Sequence, residues 1–546
     1  MLLLKRRTKM DLKRKLPVGI QDFEKLREEG YLYVDKTDAI YNLVHSGSSY
    51  FFARPRCFGK TLLLSVIEAY FKGRKDLFEG LKIEKLEEEW QEYTVLKIDF
   101  STDVYSTEGA LEVTINTFLA EQEQRYGKHE ERTTYAKRFE YIIQRAYETS
   151  GKPVVVLIDD YDKPILDAMF SPEESHNREV LRNFYSALNG NDYYLKFVFI
   201  TGISKFASVN VFNGANKQKD ISLYSNFNSL CAFTQSELES TFGDELNELA
   251  KANNLAYESF LKMFEKKYSG YCFCKNGEKL YNPFSVLNAL SSLDMLSFWF
   301  QTGVPSMLIK ILQNSKFDFF GILEGICVDA DTIMDYKWTE DDLVSVIFQS
   351  GYLTIRAYDS ENNLFELGLP NGEVRDGFLK NLLPYYTSVG TTSKYGSEIA
   401  LVKASLVNGD VSGFVARFRE SVKNVQLIQK KKEDAETVYL IAFHSLLMLT
   451  GFTFYSGSAL AGTHNDIVVE AGKHSYIFEI KMDKGIALED VEADAFARIE
   501  EKKFAAKYSG TDCLVHKVVI VFSSSKNELI GWKENNGSAN MQKEIS

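Results

Sequence analysis

The sequence predicts an α/β multidomain protein, and three observations lead there. The 546 residues exceed what one hydrophobic core organises, so two to four domains are expected. Short apolar strands alternate with helical stretches from about residue 30 to 205, the pattern of a parallel sheet covered on both faces. A further α/β segment follows Lys430-Lys431-Lys432 and ends near Lys533. The composition, 45% apolar and 26% charged with 9 prolines, is that of a folded chain.

The first informative element is Ser49-Tyr50-Phe51-Phe52-Ala53, a short buried strand, with Leu62 to Phe71 as the helix after it. Between them lies Arg54-Pro55-Arg56-Cys57-Phe58-Gly59-Lys60-Thr61, a phosphate-loop pattern with Arg54 at the first-glycine position. In the full pattern backbone N–H groups cradle phosphates, the lysine reaches the β/γ-phosphates and the threonine holds Mg²⁺. The helix N-terminus adds a favourable field for the anion. A Gly-Lys-Thr tripeptide also occurs in strand–turn–helix units that bind nothing; the flanking strand and helix favour nucleotide.

Val95 to Phe100 is the next candidate strand. Val154 to Ile158 then delivers Asp159 and Asp160 at its C-terminal end, where α/β sheets bind ligands. Asp159 is the expected Mg²⁺-side acid. Asp160 stands where many ATPases place a water-activating glutamate, and its shorter side chain predicts slow hydrolysis. The competing reading is a buried strand ending in two solvated acids. Phe197 to Ile200 is a third strand, presenting Thr201 as a polar sensor and, more weakly, Ser204. From about 233 the texture becomes helical, opened by a capping-box pattern at Thr234-Gln235-Ser236-Glu237. Residues 305 to 385 mix short helices with Tyr352 to Ile355 and Leu364 to Leu369, a small β-wing, and Ser388 to Ser397 reads as a linker.

Asp466 to Glu470 and Ser475 to Lys481 read as two strands joined by Ala471-Gly472-Lys473-His474. If Glu470 and Ser475 flank a four-residue turn, Asp466 lies directly opposite Glu479, with Cβ atoms roughly 4.5–5.5 Å apart. Both carboxylates then reach one Mg²⁺. Lys481 shares the Glu479 face, whereas Phe478 and Ile480 face the core. Two acids that fix a metal and a lysine that orients water or offsets charge suit phosphodiester hydrolysis. On the residues alone an ordinary amphipathic hairpin competes with this reading.

Several runs together resemble a known family. They are Tyr33-Val34-Asp35-Lys36-Thr37, the loop from Ala53 to Thr61, and Ile158-Asp159-Asp160-Tyr161-Asp162-Lys163-Pro164. Tyr268-Ser269-Gly270-Tyr271, Tyr281 to Ser285, Ser350 to Thr354 and Pro370 to Arg375 follow in matching order. The chain resembles the AAA-ATPase-like family fused to a PD-(D/E)XK nuclease-like domain, from about residue 15 to 530. The resemblance implies a phosphate-loop, AAA-like parallel sheet at 31–232 after an N-terminal segment 1–30, and a helical lid at 233–304. It further implies a winged-helix-like module at 305–390, a helical connector at 391–430, the nuclease-like α/β domain at 431–535 and a flexible tail at 536–546. An Arg-Pro-Arg opening to the loop is usual in this family; Cys57, Asp160 and Arg498 depart from it, the last standing where glutamine is common.

The resemblance sets the expected sites. ATP would meet Arg56, Cys57, Phe58, Gly59, Lys60, Thr61, Leu62, Asp159 and Thr201, with Mg²⁺ at Thr61 and Asp159 and Asp160 catalytic. A second Mg²⁺ site would use Asp466 and Glu479, with Asp466, Glu479 and Lys481 catalytic and Glu436 a further acid. Any DNA or RNA contact must come from a local groove, because the net charge is −12. From residue 431 onward there are 13 Lys and Arg against 17 Asp and Glu, a balance of −4. Six scattered cysteines without a C-x-x-C pair, no membrane-length apolar run and no signal-like N-terminus predict a cytoplasmic protein. Homo-oligomerisation is an expectation of the family, since AAA-type enzymes commonly borrow an arginine from a neighbour. Three readings compete: an ATP-regulated, Mg²⁺-dependent nuclease; a nucleotide-dependent switch whose nuclease-like domain binds nucleic acid or protein without cutting; and a structural or interaction protein with both sites silent.

Overall fold

The structure is a computed structural model that describes residues 14–205, 218–302, 322, 325–334, 344–386, 395–423, 435–456, 466–501, 513–523, 525–526, 528–535 and 540–544. The stretch 388–394 of the expected linker, Lys430-Lys431-Lys432 and residues 1–13 lie outside them. The chain divides into two compact units, 1–317 with 322–374, and 318–321 with 375–546.

The first unit is built on strands β1 (Ser49–Ala53), β2 (Val95–Asp99), β3 (Val154–Asp159), β4 (Leu195–Gly202) and β5 (Lys219–Asp220). They form one parallel sheet in the order β2-β3-β4-β1-β5. Every residue of β3 from Val154 to Ile158 is fully buried, as a central strand covered by helices on both faces requires. Helices Ala110–Tyr126, Tyr135–Ser150 and Glu173–Tyr185 close one side through a core that includes Ile115, Ile143 and Phe184. The order places β4 between the loop-bearing β1 and the acid-bearing β3, so all three strand ends open on one edge.

Beyond the sheet, helices Gln235–Ala252, Tyr257–Tyr268 and Pro283–Ser292 pack a second core around Phe242, Phe260 and Val286. The capping box read at Thr234 and Glu237 is present in both directions. A two-stranded ribbon, β6 (Ser269–Tyr271) with β7 (Leu280–Tyr281), follows the second of these helices. Strands β8 (Ile326–Asp329), β9 (Thr354–Asp359) and β10 (Leu364–Gly368) make an antiparallel sheet in the order β8-β10-β9. The wing strand expected from Tyr352 begins at Thr354 instead, because Gly351 N and Tyr352 N donate back to Phe348 O and Ile347 O and so belong to the end of the helix Val344–Gln349.

The second unit carries a mixed sheet of β11 (Thr453–Ser456), β12 (Asp466–Ala471), β13 (His474–Met482), β14 (Leu514–Phe522), β15 (Leu529–Asn535) and β16 (Asn540–Glu544), in sequence order. Only β13 and β14 pair in parallel, with the helix Leu488–Glu501 between them in the chain. Both faces of β13 are covered: Ile477 joins the core with Val491 and Ala495 of that helix, and Phe478 packs on Phe414 and Phe443 opposite. Among the described residues no helix is long and apolar enough to cross a membrane.

Candidate functional site

The loop from Arg54 to Gly59 shows why an arginine replaces the first glycine. That position has no left-handed backbone; positive φ appears instead at Cys57 (67°) and Gly59 (93°). A glycine is therefore needed only at Gly59, the cap of the helix Lys60–Phe71, while Cys57 holds a conformation that costs an ordinary residue energy. The Arg54 side chain is 1% exposed and donates to the carbonyls of Ala53, Ser222, Phe227 and Asn228 at 2.7–3.2 Å. Its guanidinium lies 4.4 Å from the Phe52 ring and 4.3 Å from the Phe273 ring. Burial pulls its pKa down to about 10, which leaves it charged at neutral pH. Arg54 is thus a buried bolt for the loop.

Phe58, 1% exposed, meets Tyr271 and Phe273 edge-on at 4.9 and 5.5 Å. Trp299 Nε1 donates to Arg56 O at 3.3 Å, and Gly351 lies so close to Pro55 that a Cβ there would sit 2.7 Å from its side chain. Several of the runs behind the family resemblance therefore converge on one loop.

Lys60 is 6% exposed; its ammonium donates to Pro55 O at 3.3 Å and lies 3.9 Å from an Asp160 oxygen. Asp160 takes φ 46°, which turns its side chain toward the loop. Asp159 is fully buried, lies close enough to Thr61 for that residue to favour its ionised form, and accepts from Asp160 N at 3.0 Å through one oxygen. Its second oxygen has no partner among the described residues. Burial first, and then the neighbouring Asp160, push its pKa up to about 6. An ionised carboxylate oxygen left bare beside a threonine hydroxyl fits a divalent cation, directly or through water.

Beside the loop opens a pocket of about 450 Å³. Arg56, Cys57, Phe58, Gly59, Lys60, Thr61, Leu62 and Asp160 line one end. Ile20, Val34, Ile40, Leu230, Phe233, Phe242 and Phe284 give the rest an apolar wall, suited to a heterocyclic base. Asp159 and Thr201 do not line it; both are fully buried, and the Thr201 hydroxyl has no partner among the described residues.

Asp162 was not singled out by sequence. It is fully buried and accepts from Ile203 N, Ser204 N and Ser204 Oγ at 2.7–3.2 Å, tying the acid-bearing turn to the end of β4. Burial raises its pKa to about 6, against those hydrogen bonds. Ser204 is consequently a support for this carboxylate. Three acids within four residues after an apolar strand were the available signal. Gly202 is what lets the turn approach: a Cβ there would stand 2.4 Å from Asp162 Oδ1 and 2.6 Å from the Tyr161 ring. Gly202→Ala is expected to destabilise the protein by about 1–3 kcal/mol, measured as a fall in the urea midpoint, because neither the buried carboxylate nor the ring has room to move. An unchanged midpoint would contradict this packing.

The raised pKa of Asp159 has a stability consequence of definite sign. The unfolded chain loses this proton near its ordinary value and the folded chain near 6, so ionised Asp159 weakens the nucleotide-free fold above pH 6. Asp159→Asn is expected to stabilise the protein at pH 7.5, by up to about 3 kcal/mol, and to change little at pH 4. Chemical denaturation at the two pH values checks this; equal effects at both would refute it.

In the second unit β12 and β13 pair with Asp466 opposite Glu479, the register read from sequence. The turn is tighter than expected: Ala471 still pairs with His474, leaving Gly472-Lys473, and Gly472 supplies the left-handed φ of 68° that such a two-residue turn needs. The side chain of Asp466 lies outside the described residues. Glu479 is 1% exposed; one oxygen accepts from Lys481 Nζ at 2.9 Å, and the other has no partner among the described residues. Burial and then Arg498 lower the Lys481 pKa, while Glu436 and Asp494 act against them. Glu436, Lys481 and Arg498 therefore face one another's fields, with Lys484 3.5 Å from Glu436 and Arg498 3.2 Å from Asp494. Among the described residues no group of three or more His, Cys, Asp or Glu is arranged to hold a metal. The bare Glu479 oxygen, paired in register with an aspartate, is the donor chemistry a divalent ion requires.

Comparison with known proteins follows the same division. A family model described as "Predicted AAA-ATPase" matches residues 17–212, and one described as "PD-(D/E)XK nuclease superfamily" matches residues 434–532. The chain is 30% identical over 528 residues to the "Uncharacterized protein in vnfD 5'region" of Azotobacter chroococcum mcd 1, an alignment covering 95% of this chain and 98% of that protein. With the phosphate loop, the paired acids and the hairpin register in place, the chain belongs to the AAA-ATPase-like family whose C-terminal domain is of the PD-(D/E)XK nuclease superfamily.

Proposed function

We propose that this protein binds ATP with Mg²⁺ at the phosphate loop, hydrolyses it slowly, and couples that event to a Mg²⁺-dependent nuclease site at Asp466, Glu479 and Lys481. In this reading residues 31–232 form the ATPase core, 233–304 its lid, 305–390 a winged-helix-like module, 391–430 a connector and 431–535 the nuclease domain. The bare, buried oxygen of Asp159 beside Thr61, at the N-terminus of the helix that carries Lys60, is the observation that supports nucleotide binding most directly.

The residues divide the work by position. Lys60 and the N–H groups from Cys57 to Thr61 take the phosphates, and the apolar wall takes the base. Thr61 and Asp159 would hold Mg²⁺, which supplies charge neutralisation at the phosphates. Asp160 orients water; its carboxylate, already near Lys60, is short for that reach, which is why slow turnover is proposed. At the second site Asp466 and Glu479 would hold Mg²⁺ beside a phosphodiester, and Lys481, fixed by Glu479, offsets charge as the bond breaks.

The alternative, a switch that binds without cutting, draws support from the −4 charge balance after residue 430 and from Arg498 in the usual glutamine position. One experiment tests both: wild-type protein is assayed for retention of labelled ATP, then for Mg²⁺-dependent cleavage of plasmid DNA and single-stranded RNA. Absence of ATP retention removes the nucleotide reading; ATP retention without cleavage of either substrate selects the switch.

A further inference from the structure

We propose that Lys36 and Glu237 form a latch that holds the first turn of the lid against the base pocket, so that Lys36 is a positioning residue for the nucleotide. The inference rests on the nucleotide reading above. Lys36 sits on a fixed backbone: Asp35 accepts from Thr37 N, Thr37 Oγ1 and Lys82 N at 2.6–2.9 Å, and Thr37 is fully buried. From there its ammonium lies 2.6 Å from both oxygens of Glu237, with side-chain exposures of 12% and 25%. Lys36 also lines the pocket, next to Val34 and Phe233.

Glu237 is bound twice. It is the third residue of the lid helix and closes the capping box by accepting from Thr234 N at 2.9 Å. The same carboxylate thus caps the start of the helix and grips the ATPase core. A partly desolvated, bidentate, charge-assisted contact of this kind is stronger than a surface ion pair.

The helix then breaks where the pocket needs it. Gln235–Ala252 is interrupted at Phe242, whose φ −115° and ψ 21° are non-helical, and Phe242 is itself part of the pocket wall. A fixed turn on one side of a break and a pocket-lining aromatic at the break make a hinge. With the latch closed, the turn before Phe242 is held and the ring keeps its place against the base. With the latch open, Phe242 and the wall lose their anchor, and nucleotide must order them on binding.

The test compares Lys36→Met, which keeps the aliphatic stem, with Glu237→Gln, which keeps the capping-box acceptor. Each is expected to weaken binding of a non-hydrolysable ATP analogue about tenfold, and the double variant no further, because both remove one contact. Hydrogen exchange of residues 235–241 in nucleotide-free protein is expected to quicken in both. Weaker binding in Lys36→Met alone would overturn the latch and make Lys36 a direct phosphate ligand; additive losses or unchanged exchange would overturn it as well. If wild-type protein binds no analogue, the nucleotide reading fails, and exchange at 235–241 still decides whether the latch exists.

Discussion

Lys60→Ala is expected to weaken ATP binding at least about a hundredfold while the fold persists. The ammonium belongs to the first residue of the loop helix, lines the pocket, touches a loop carbonyl and lies near Asp160. Removing it deletes a charge-assisted contact to phosphate and leaves Asp160 to repel the ligand. The fold should survive because the loop is held elsewhere, by the four carbonyls on Arg54 and the rings around Phe58. Calorimetric titration of wild type and variant, with thermal melts as the control, makes the comparison. Equal affinities would take the nucleotide out of this pocket.

The loop also shows where sequence reading stops. Gly59, Lys60 and Thr61 were legible because backbone geometry and charge demand those residue types in that order, and Asp159 because a β-branched strand must end where the ligand edge begins. Arg54 was legible only as a missing glycine. Its role depends on carbonyls more than 160 residues away, at Ser222, Phe227 and Asn228, which no local pattern encodes. Asp162 and the Lys36–Glu237 contact escaped for the same reason: each joins segments distant in the chain. Thr201, at the end of a central strand, reads as a ligand contact; its hydroxyl is fully buried and without a partner among the described residues, an environment set by the packing around β4 that no local pattern encodes. In the hairpin the opposite held. Period-two alternation fixes register strongly when one face must be buried, and Asp466 stands opposite Glu479 although the turn is two residues shorter than expected.

Glu479→Gln is expected to reduce Mg²⁺-dependent phosphodiester cleavage at least about a thousandfold, with Lys481→Met close behind and the two not additive. Glutamine is the informative substitution because Glu479 is 1% exposed between two packed faces, so shape must be conserved. It can still accept from Lys481, which keeps that ammonium placed, but it no longer presents an anionic oxygen to a divalent ion. Alanine would confuse the result by stranding a half-buried lysine beside Arg498. Lys481→Met leaves the acid pair in register and removes only the cation, so it separates metal binding from charge compensation. Metal titration followed by calorimetry should show affinity lost in Glu479→Gln and retained in Lys481→Met, while cleavage is lost in both. Cutting that persists in both would mean that the hairpin is a scaffold, and the acidic surface around Glu489, Asp490 and Asp494 would then favour the switch over the nuclease.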